Sequence, residues 1–422
     1  MKKVFSKSEL TFDSLKSNAV NEGNQFFNDN LNSQQSKTKK AKGTKPLQSH
    51  LRGASNLTRG SKLHCKEEFK GNIENFIGMS QIPFYIRFNI PTGLAGPLKI
   101  KGKNADGEFP IPLATTEGAL VASYNRGMKA CSLSGGISTI CLSEGVQRSP
   151  YFKFENISQA IDFSRWASRK IEEFKKITQS CSSFAELRNI KSNVEGNSVI
   201  LTFEYSTGDA AGQNMVTICT DKICRFIFSN FRYKPLSWYI ESNYSGDKKA
   251  TALSFSNVRG KKVSSEVTIG KKIVQEILKS TPKKIVDYWR VSTLAVTQSG
   301  SIGAQGHVAN GLTALFIACG QDVACISESS IGLTRMEVDQ YGDLYVSLTL
   351  PSLIVGTVGG GTSLPTQKEC LGIMGCFGEG NALKFSEICC AVALAGEISI
   401  AAAMSVDHFT SAHESLGRKK TS

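Results

Sequence analysis

The sequence predicts an α+β protein in which a large domain around buried helices is interrupted by a small inserted domain of ferredoxin-like order, β-α-β-β-α-β. Three observations support this fold class. Residues 151–245 alternate strand-like and helix-like apolar patterns in that order. Residues 115–131, 299–319 and 383–406 contain mainly small and aliphatic residues with few charges, as in helices buried against one another. The length of 422 residues, about three times a common domain, favours more than one domain.

Each element of the inserted segment follows from a local pattern. Strands are predicted where β-branched and aromatic residues cluster in short runs, and helices where apolar residues recur every three or four positions. The turn residues Glu195-Gly196-Asn197 separate the two central strands. The predicted elements lie near residues 151–155 (strand), 157–177 (helix), 187–194 (strand), 198–206 (strand), 210–228 (helix) and 236–242 (strand).

These patterns divide the chain into four parts. Residues 1–68 are expected to form a disordered basic tail, since they are polar and show little apolar periodicity. Residues 69–149, where short strands and turns are predicted, begin the large domain. Residues 150–240 form the small insert, and residues 241–422 complete the large domain.

The formal net charge of +14 is concentrated in the tail, where residues 1–65 carry twelve lysines and arginines against four acidic residues. Such a tail could contact RNA or an acidic membrane surface. No aromatic residues alternate with the basic ones, so a solvated tail is favoured and no nucleic-acid partner is expected.

No membrane span or secretory signal is predicted. Residues 344–367 contain prolines and three consecutive glycines, and the apolar stretch 388–406 is interrupted by Glu397. The N-terminus leads into a polar segment without an apolar signal region. The twelve cysteines show no C-x-x-C spacing, which favours reduced thiols and a cytoplasmic location.

Five ionisable residues lie in segments where burial would be costly: Glu117, Lys248, Lys249, Asp322 and His413. Each has an ordinary structural explanation when taken alone. The first carboxylate suits a helix N-terminus, the two lysines a solvated turn, Asp322 a helix end and the histidine a surface position.

The sequence contains two glycine-rich runs, the second of which could bind a phosphate or allow a cofactor to approach the backbone closely. They are GDAAGQNM (208–215) and VGTVGGGTS (355–363). The second run is neither a P-loop nor a G-x-G-x-x-G fingerprint, so by itself it is more typical of a turn.

Taken together and in order, these strings resemble the hydroxymethylglutaryl-coenzyme A (HMG-CoA) reductases, in particular the catalytic part of the class I form. The resemblance extends from about Glu74 to Arg418. The strings that carry it are IENFIG (73–78), IPTGLAGPL (90–98), ATTEGALVASYNRG (114–127), GDAAGQNM (208–215), DKKA (247–250), IACGQDVA (317–324) and GTVGGGT (356–362).

The resemblance implies that HMG-CoA is reduced by two NADPH molecules to mevalonate and coenzyme A, in isoprenoid and sterol biosynthesis. It implies four catalytic residues. Lys248 would polarise the thioester carbonyl, and His413 would protonate the departing thiolate. Glu117 would act as an acid with a pKa raised by burial, and Asp322 would lie between Lys248 and Glu117.

The same resemblance implies the binding residues and partners. The substrate-binding residues would be Arg148, Asp247, Lys249 and Asn310. The cofactor-binding residues would be Ser182, Asp209, Asn214, Gly359, Gly360 and Arg418, with the small insert as the NADP-binding domain and no metal. The family implies a homodimer or homotetramer with shared active sites. It also implies an alternative location, the cytosolic face of the endoplasmic reticulum, if the chain is part of an anchored protein.

Two departures from the family pattern affect binding. Ser182-Ser183-Phe184 lacks the arginine that helps hold the 2′-phosphate in the family, so a less strict preference for NADPH over NADH is expected. Glu241 replaces a small hydroxyl residue beside the substrate and is expected to weaken binding, unless it turns outward to pair with a lysine. The alternative function is therefore a catalytically weak or regulatory paralogue that retains the fold.

Overall fold

The computed structural model describes residues 90–256 and 259–406. The predicted tail, the predicted strands before residue 90, and the site residues His413 and Arg418 lie outside the described residues.

Ten described strands form one mixed sheet with the neighbour order β7-β4-β6-β3-β8-β10-β9, to which β1, β2 and β5 attach at its sides. All these pairs are antiparallel except β1 with β3. The strands are β1 (Thr92–Gly102), β2 (Asp106–Ala114), β3 (Ile137–Arg148), β4 (Tyr151–Lys153), β5 (Glu186–Glu195), β6 (Ser198–Ser206), β7 (Ser237–Tyr239), β8 (Gly260–Ile269), β9 (Leu333–Val338) and β10 (Leu344–Leu353).

Eight longer helices accompany the sheet: α1 (Leu120–Leu133), α2 (Ile157–Arg169), α3 (Ile171–Cys181), α4 (Gln213–Asn230), α5 (Pro282–Ser299), α6 (Val308–Ala318), α7 (Pro365–Ile373) and α8 (Ala382–Met404). Short helical turns occur at Ala252–Phe255, Lys271–Ile273, Val274–Leu278, Val323–Cys325, Ile326–Ser329 and Gly360–Ser363. The described chain is thus a mixture of helices and a largely antiparallel sheet.

The larger hydrophobic cluster surrounds α8, and nearly all of this helix is buried. The prediction that small residues permit close helix packing is confirmed where Gly127 of α1 meets α8. A Cβ atom at this glycine would collide with the carbonyl of Ala395. Helix α8 is long and apolar enough to cross a membrane, but 89% of its most apolar stretch is buried inside the protein. Its composition is therefore explained by its central position in the core.

Two predicted buried helices start later than expected, and the first of them, expected over residues 115–131, begins at Leu120. Residues 299–319 were expected to be helical, but helix α6 begins only at Val308. Gly300 adopts a left-handed conformation, with φ of 72°, and ends the preceding helix α5. Glu397 of α8 then accepts backbone hydrogen bonds from Gly306, His307 and Val308, which satisfies the N-terminus of α6.

A second hydrophobic cluster lies between β3–β7 and helices α2–α4, and it is rich in aromatic side chains. The helix expected over 157–177 is two helices, because Lys170 leaves the helical conformation between them. This break lets Phe163 of α2 and Phe174 of α3 both enter the aromatic core. The last strand is also shorter than expected, with only Ser237–Tyr239 paired to β4.

Strand β3 connects the strands around β8 with the strands around β6. Its residues 138–145 pair with β8, and its last three residues, 146–148, pair with β6. Arg148, at the end of β3, therefore lies where the two hydrophobic clusters meet.

Candidate active site

Lys248 and Asp322 form an ion pair, with 2.9 Å between Nζ and Oδ2. Both side chains are a little under half exposed, at 46% and 44%. Asp322 also caps the turn Val323–Cys325 by accepting a hydrogen bond from the Ala324 backbone. The hydrogen bond to Asp322 raises the pKa of Lys248. Partial burial is the largest single influence on Asp322 and opposes its ionisation. The hydrogen bonds from Lys248 and the Ala324 backbone, together with the charge of Lys248, outweigh burial, so the pKa of this carboxyl is lowered. Both groups are therefore charged over a wide pH range.

The guanidinium of Arg148 is shared between two carboxylates. Its Nη1 lies 3.1 Å from Asp247 Oδ2 and 3.2 Å from Glu241 Oε2, and its Nη2 donates to the backbone of Gln213. Glu241 also accepts hydrogen bonds from the backbone of Ser149 and the hydroxyl of Ser245. The alternative of an outward Glu241 paired with a lysine is wrong, since the side chain turns inward to an arginine.

Arg259 and Glu328 are two buried residues of this network that sequence reasoning missed. Arg259 contacts Asp247, donates to Gln213 Oε1 at 2.5 Å, and lies 3.3 Å from Glu328 Oε1. Glu328 also accepts the backbone N–H of Lys248 at 3.1 Å. Nothing in the local sequence signals this role, because Arg259 lies among other basic residues and Glu328 among serines.

Glu117 and Asn310 form a second pair, in which Asn310 Nδ2 lies 3.4 Å from Glu117 Oε2. Asn310 lies in the first turn of α6, whereas Asp322 follows the other end of this helix. The eight helical steps from Asn310 to Ala318 rise by about 12 Å. Within one chain, therefore, Glu117 is paired at one end of α6, and Lys248 with Asp322 lies at the other end.

The two glycine-rich runs lie side by side. The backbone N–H of Thr357 donates to the carbonyl of Asp209 at 2.8 Å, and Ala210 forms a parallel bridge with Val358. Gly356 makes this approach possible, since a Cβ atom there would lie 2.6 Å from the Ala211 nitrogen.

The segment that carries Asp322 packs against the second glycine-rich run. A Cβ atom at Gly320 would collide with the Gly361 carbonyl, and Gln321 Oε1 accepts the backbone N–H of Gly356 at 2.9 Å. Gly359 and Gly360 are exposed and left-handed, with φ of 73° and 56°. Three motifs that are far apart in the sequence thus meet beside the Lys248–Asp322 pair.

The other cofactor candidates lie around this junction. Asp209 directs its carboxylate to the backbone N–H groups of Gly380 and Ala382, at the start of α8. Ser182 donates to the sulfur of Met215, and Asn214 is exposed in the first turn of α4.

The N-terminus of α4 suits an anionic group. Its N-cap residue, Gly212, is left-handed, and neither a capping side chain nor an acidic residue in the first turn competes for the free backbone N–H groups. Together with the open backbone at Gly359 and Gly360, this arrangement fits a phosphate-bearing dinucleotide.

A profile of the hydroxymethylglutaryl-coenzyme A reductase family matches residues 44–418. The chain belongs to this family. The 3-hydroxy-3-methylglutaryl-coenzyme A reductase of Pyrococcus horikoshii is 44% identical over 358 residues, covering 82% of this chain and 84% of its own. That of Methanocaldococcus jannaschii is 42% identical over 354 residues, covering 83% and 85%.

Solved HMG-CoA reductase structures share the fold at low sequence identity. The class II enzyme of Streptococcus pneumoniae, described as bound to NADPH in open conformations, matches with a TM-score of 0.64 and 17% identity. The match covers 78% of this chain and 88% of that one. The reductase family strings that the structure describes therefore lie on the corresponding fold.

Proposed function

We propose that this protein reduces HMG-CoA to mevalonate and coenzyme A at the expense of two NADPH. The observation that supports this most directly is the contact between Gly320 and Gly361. It brings the open glycine backbone, suited to a dinucleotide, beside the charged Lys248–Asp322 pair, suited to a carbonyl. Reduction of a thioester by a nicotinamide needs both features together.

We propose that residues 150–240 form an inserted ferredoxin-like domain that holds the cofactor. Four features support this: the antiparallel neighbour order β5-β6-β4-β7, a separate aromatic cluster, the free N-terminus of α4 and the exposed Asn214. Ser182, Gly359 and Gly360 would contact the cofactor. Asp209 would hold the glycine-rich run 208–215 in place through its hydrogen bonds to the start of α8. The bound cofactor supplies the hydride.

The roles of the chain's own residues follow from their charges. The Lys248 ammonium stabilises the negative charge that develops on the thioester oxygen, and Asp322 keeps this ammonium protonated and oriented. Arg148 and Lys249 both contact Asp247 and would hold the substrate's carboxylate, with Asp247 nearby to orient the two cations. Glu117, oriented by Asn310, would donate a proton during the second reduction. His413, outside the described residues, stays the proposed donor to the thiolate.

We propose that two copies of the chain complete each active site. The support is the position of Glu117 and Asn310, which one helix separates from Lys248 and Asp322 within a single chain. The acid of one subunit would then face the ammonium of its partner across the substrate. A homodimer provides such an active site between its two subunits, and a homotetramer would contain the same subunit contact more than once.

We also propose a cytoplasmic location, with the cytosolic face of the endoplasmic reticulum as the alternative for an anchored form. No disulfide joins cysteines within the described residues. Many of these thiols lie in the core, where burial raises the pKa of Cys131 to about 12 and makes the thiol less reactive. A reducing compartment suits this composition.

The proposed activity is tested by mixing purified protein with HMG-CoA and NADPH and following the loss of reduced nicotinamide. We expect two NADPH oxidised and one free thiol released for each mevalonate formed. Absence of oxidation with intact binding of both ligands would instead identify the catalytically weak paralogue.

The preference for NADPH over NADH is expected to be less than ~10³-fold, equivalent to about 4 kcal/mol. Ser183 cannot bind the 2′-phosphate as an arginine would, and two nearby cations already have carboxylate partners, Arg188 with Glu144 and Lys175 with Glu172. The measurement is kcat/KM with each cofactor. Ser183→Arg is the informative companion variant and should increase the preference. A stricter preference in the wild type would show that another cation binds the phosphate.

Glu241→Ser is expected to lower the KM for HMG-CoA about five-fold, equivalent to about 1 kcal/mol. The substitution removes one of two carboxylates that share Arg148, and the released guanidinium can then bind the substrate's carboxylate. The test compares KM at low and moderate salt with that of Glu337→Ser, which removes an exposed arginine pair on β9. An unchanged or raised KM would show that Glu241 does not compete with the substrate.

A further inference from the structure

Lys248 is held in an unusual backbone conformation. Its φ is 55°, in the left-handed region that residues with a Cβ atom rarely adopt, and it follows the left-handed Gly246 by two residues. Its side chain reaches Asp322, but this ion pair is nearly half exposed and cannot by itself fix the backbone. Another contact must therefore keep this turn in place.

The contact is made by Glu328, whose side chain is fully buried. Its Oε1 accepts the backbone N–H of Lys248 at 3.1 Å. Glu328 lies in the short helix Ile326–Ser329, which continues from the turn that Asp322 caps. One short segment therefore holds Lys248 at both ends, with Asp322 at the ammonium and Glu328 at the backbone.

Arg259 completes the support from the other side. It is 3% exposed, and its Nε lies 3.3 Å from the same Glu328 oxygen. Its remaining nitrogens bind the backbone of Gln147, the side chain of Gln213 and the carboxylate of Asp247, which immediately precedes Lys248. Glu328 and Arg259 thus fix two consecutive residues of the turn.

We infer that Glu328 is a positioning residue for the reduction, which holds the turn of Lys248 so that the ammonium faces Asp322. This inference rests on the proposed function, since it takes the Lys248–Asp322 pair as the group that polarises the carbonyl. Glu328 itself needs no contact with the substrate, because it lies behind the turn and is fully buried. Its effect on the reaction passes through the backbone of Lys248.

The test uses Glu328→Met, which keeps the size of the side chain but has no acceptor, and Glu328→Gln, which keeps an acceptor but not the charge. We expect Glu328→Met to lower kcat by ~10- to 100-fold through misplacement of Lys248. Glu328→Gln should lower kcat by a few-fold. Neither variant should change the KM for HMG-CoA or the KM for NADPH by more than about three-fold. Glu387→Gln and Glu387→Met are matched controls, because Glu387 is equally buried and binds the backbone of Asn104 and Ala105 in another part of the fold.

The pH dependence of kcat separates positioning from a general loss of stability. The groups that face Lys248 are Asp322, Asp247, Cys325 and Glu328, and the bond to Asp322 raises the pKa of Lys248. When the ammonium is misaligned, the pKa of Lys248 is raised less. Lys248 then loses its proton at a lower pH, so the alkaline decline of kcat should begin at a lower pH than in the wild type. The Glu387 variants should retain the wild-type profile.

The outcomes are distinguishable. A wild-type protein that does not oxidise NADPH with HMG-CoA refutes the proposed function. An active wild type whose Glu328 variants match the Glu387 controls in kcat and in the basic limb refutes the positioning role alone. If Glu328→Met does not fold, Glu328→Gln decides: a shifted basic limb with reduced kcat supports the inference, and a wild-type profile overturns it.

Discussion

Lys248→Ala is expected to lower kcat for HMG-CoA reduction by at least ~10²-fold, because it removes the cation that stabilises the developing oxyanion. Asp322→Asn and Glu117→Gln should reduce turnover by a similar factor. Asp322→Asn should in addition move the basic limb of the kcat profile to lower pH, because the bond to this carboxylate raises the pKa of Lys248. Steady-state kinetics with NADPH oxidation as the signal measures all three effects.

Lys283→Ala is the matched control for this experiment. Lys283 forms a 2.5 Å ion pair with Asp287 on the surface of α5, so the substitution removes the same kind of contact without affecting the candidate site. Its kcat should equal that of the wild type. A Lys248→Ala protein with near-normal turnover would exclude this lysine from the mechanism.

Gly127→Ala is expected to lower the free energy of unfolding by ~2–3 kcal/mol, a typical cost of overpacking a dense core. The added methyl group would meet the backbone carbonyl of Ala395, and a backbone atom cannot move aside as a flexible side chain can. Helices α1 and α8 would have to separate, and their contact lies in the main hydrophobic cluster. Urea unfolding monitored by circular dichroism gives the change in midpoint at constant slope.

The control for this stability measurement is Gly372→Ala. Gly372 also lies in a helix, α7, but a Cβ atom there would meet no neighbour within 4 Å. The better helix propensity of alanine should stabilise this variant by about 0.5–1 kcal/mol. If both glycine variants changed stability alike, close packing of α1 on α8 would not be the cause.

Much of the candidate site could be predicted because its residues occur in short strings. Lys248 and Asp247 are neighbours in one string, and the structure pairs them with Asp322 and Arg148 from two other segments. The family resemblance implies that Asp322 lies between Lys248 and Glu117. Within one chain the helix α6 keeps Glu117 away, and the ordering of residues along a sequence cannot show on which side of a subunit a side chain lies.

The sequence by itself predicted most of the helices and strands and the candidate site residues, because apolar periodicity and motif strings are local properties of a chain. It missed the break at Lys170, which depends on how Phe163 and Phe174 share an aromatic core. Only the tertiary structure decided that Glu241 turns inward to Arg148, and that Glu328 supports the backbone of Lys248 from 80 residues away. Such contacts depend on burial. A charge costs free energy when it leaves water without a partner, and the fold determines which charges become buried and which partners lie within reach.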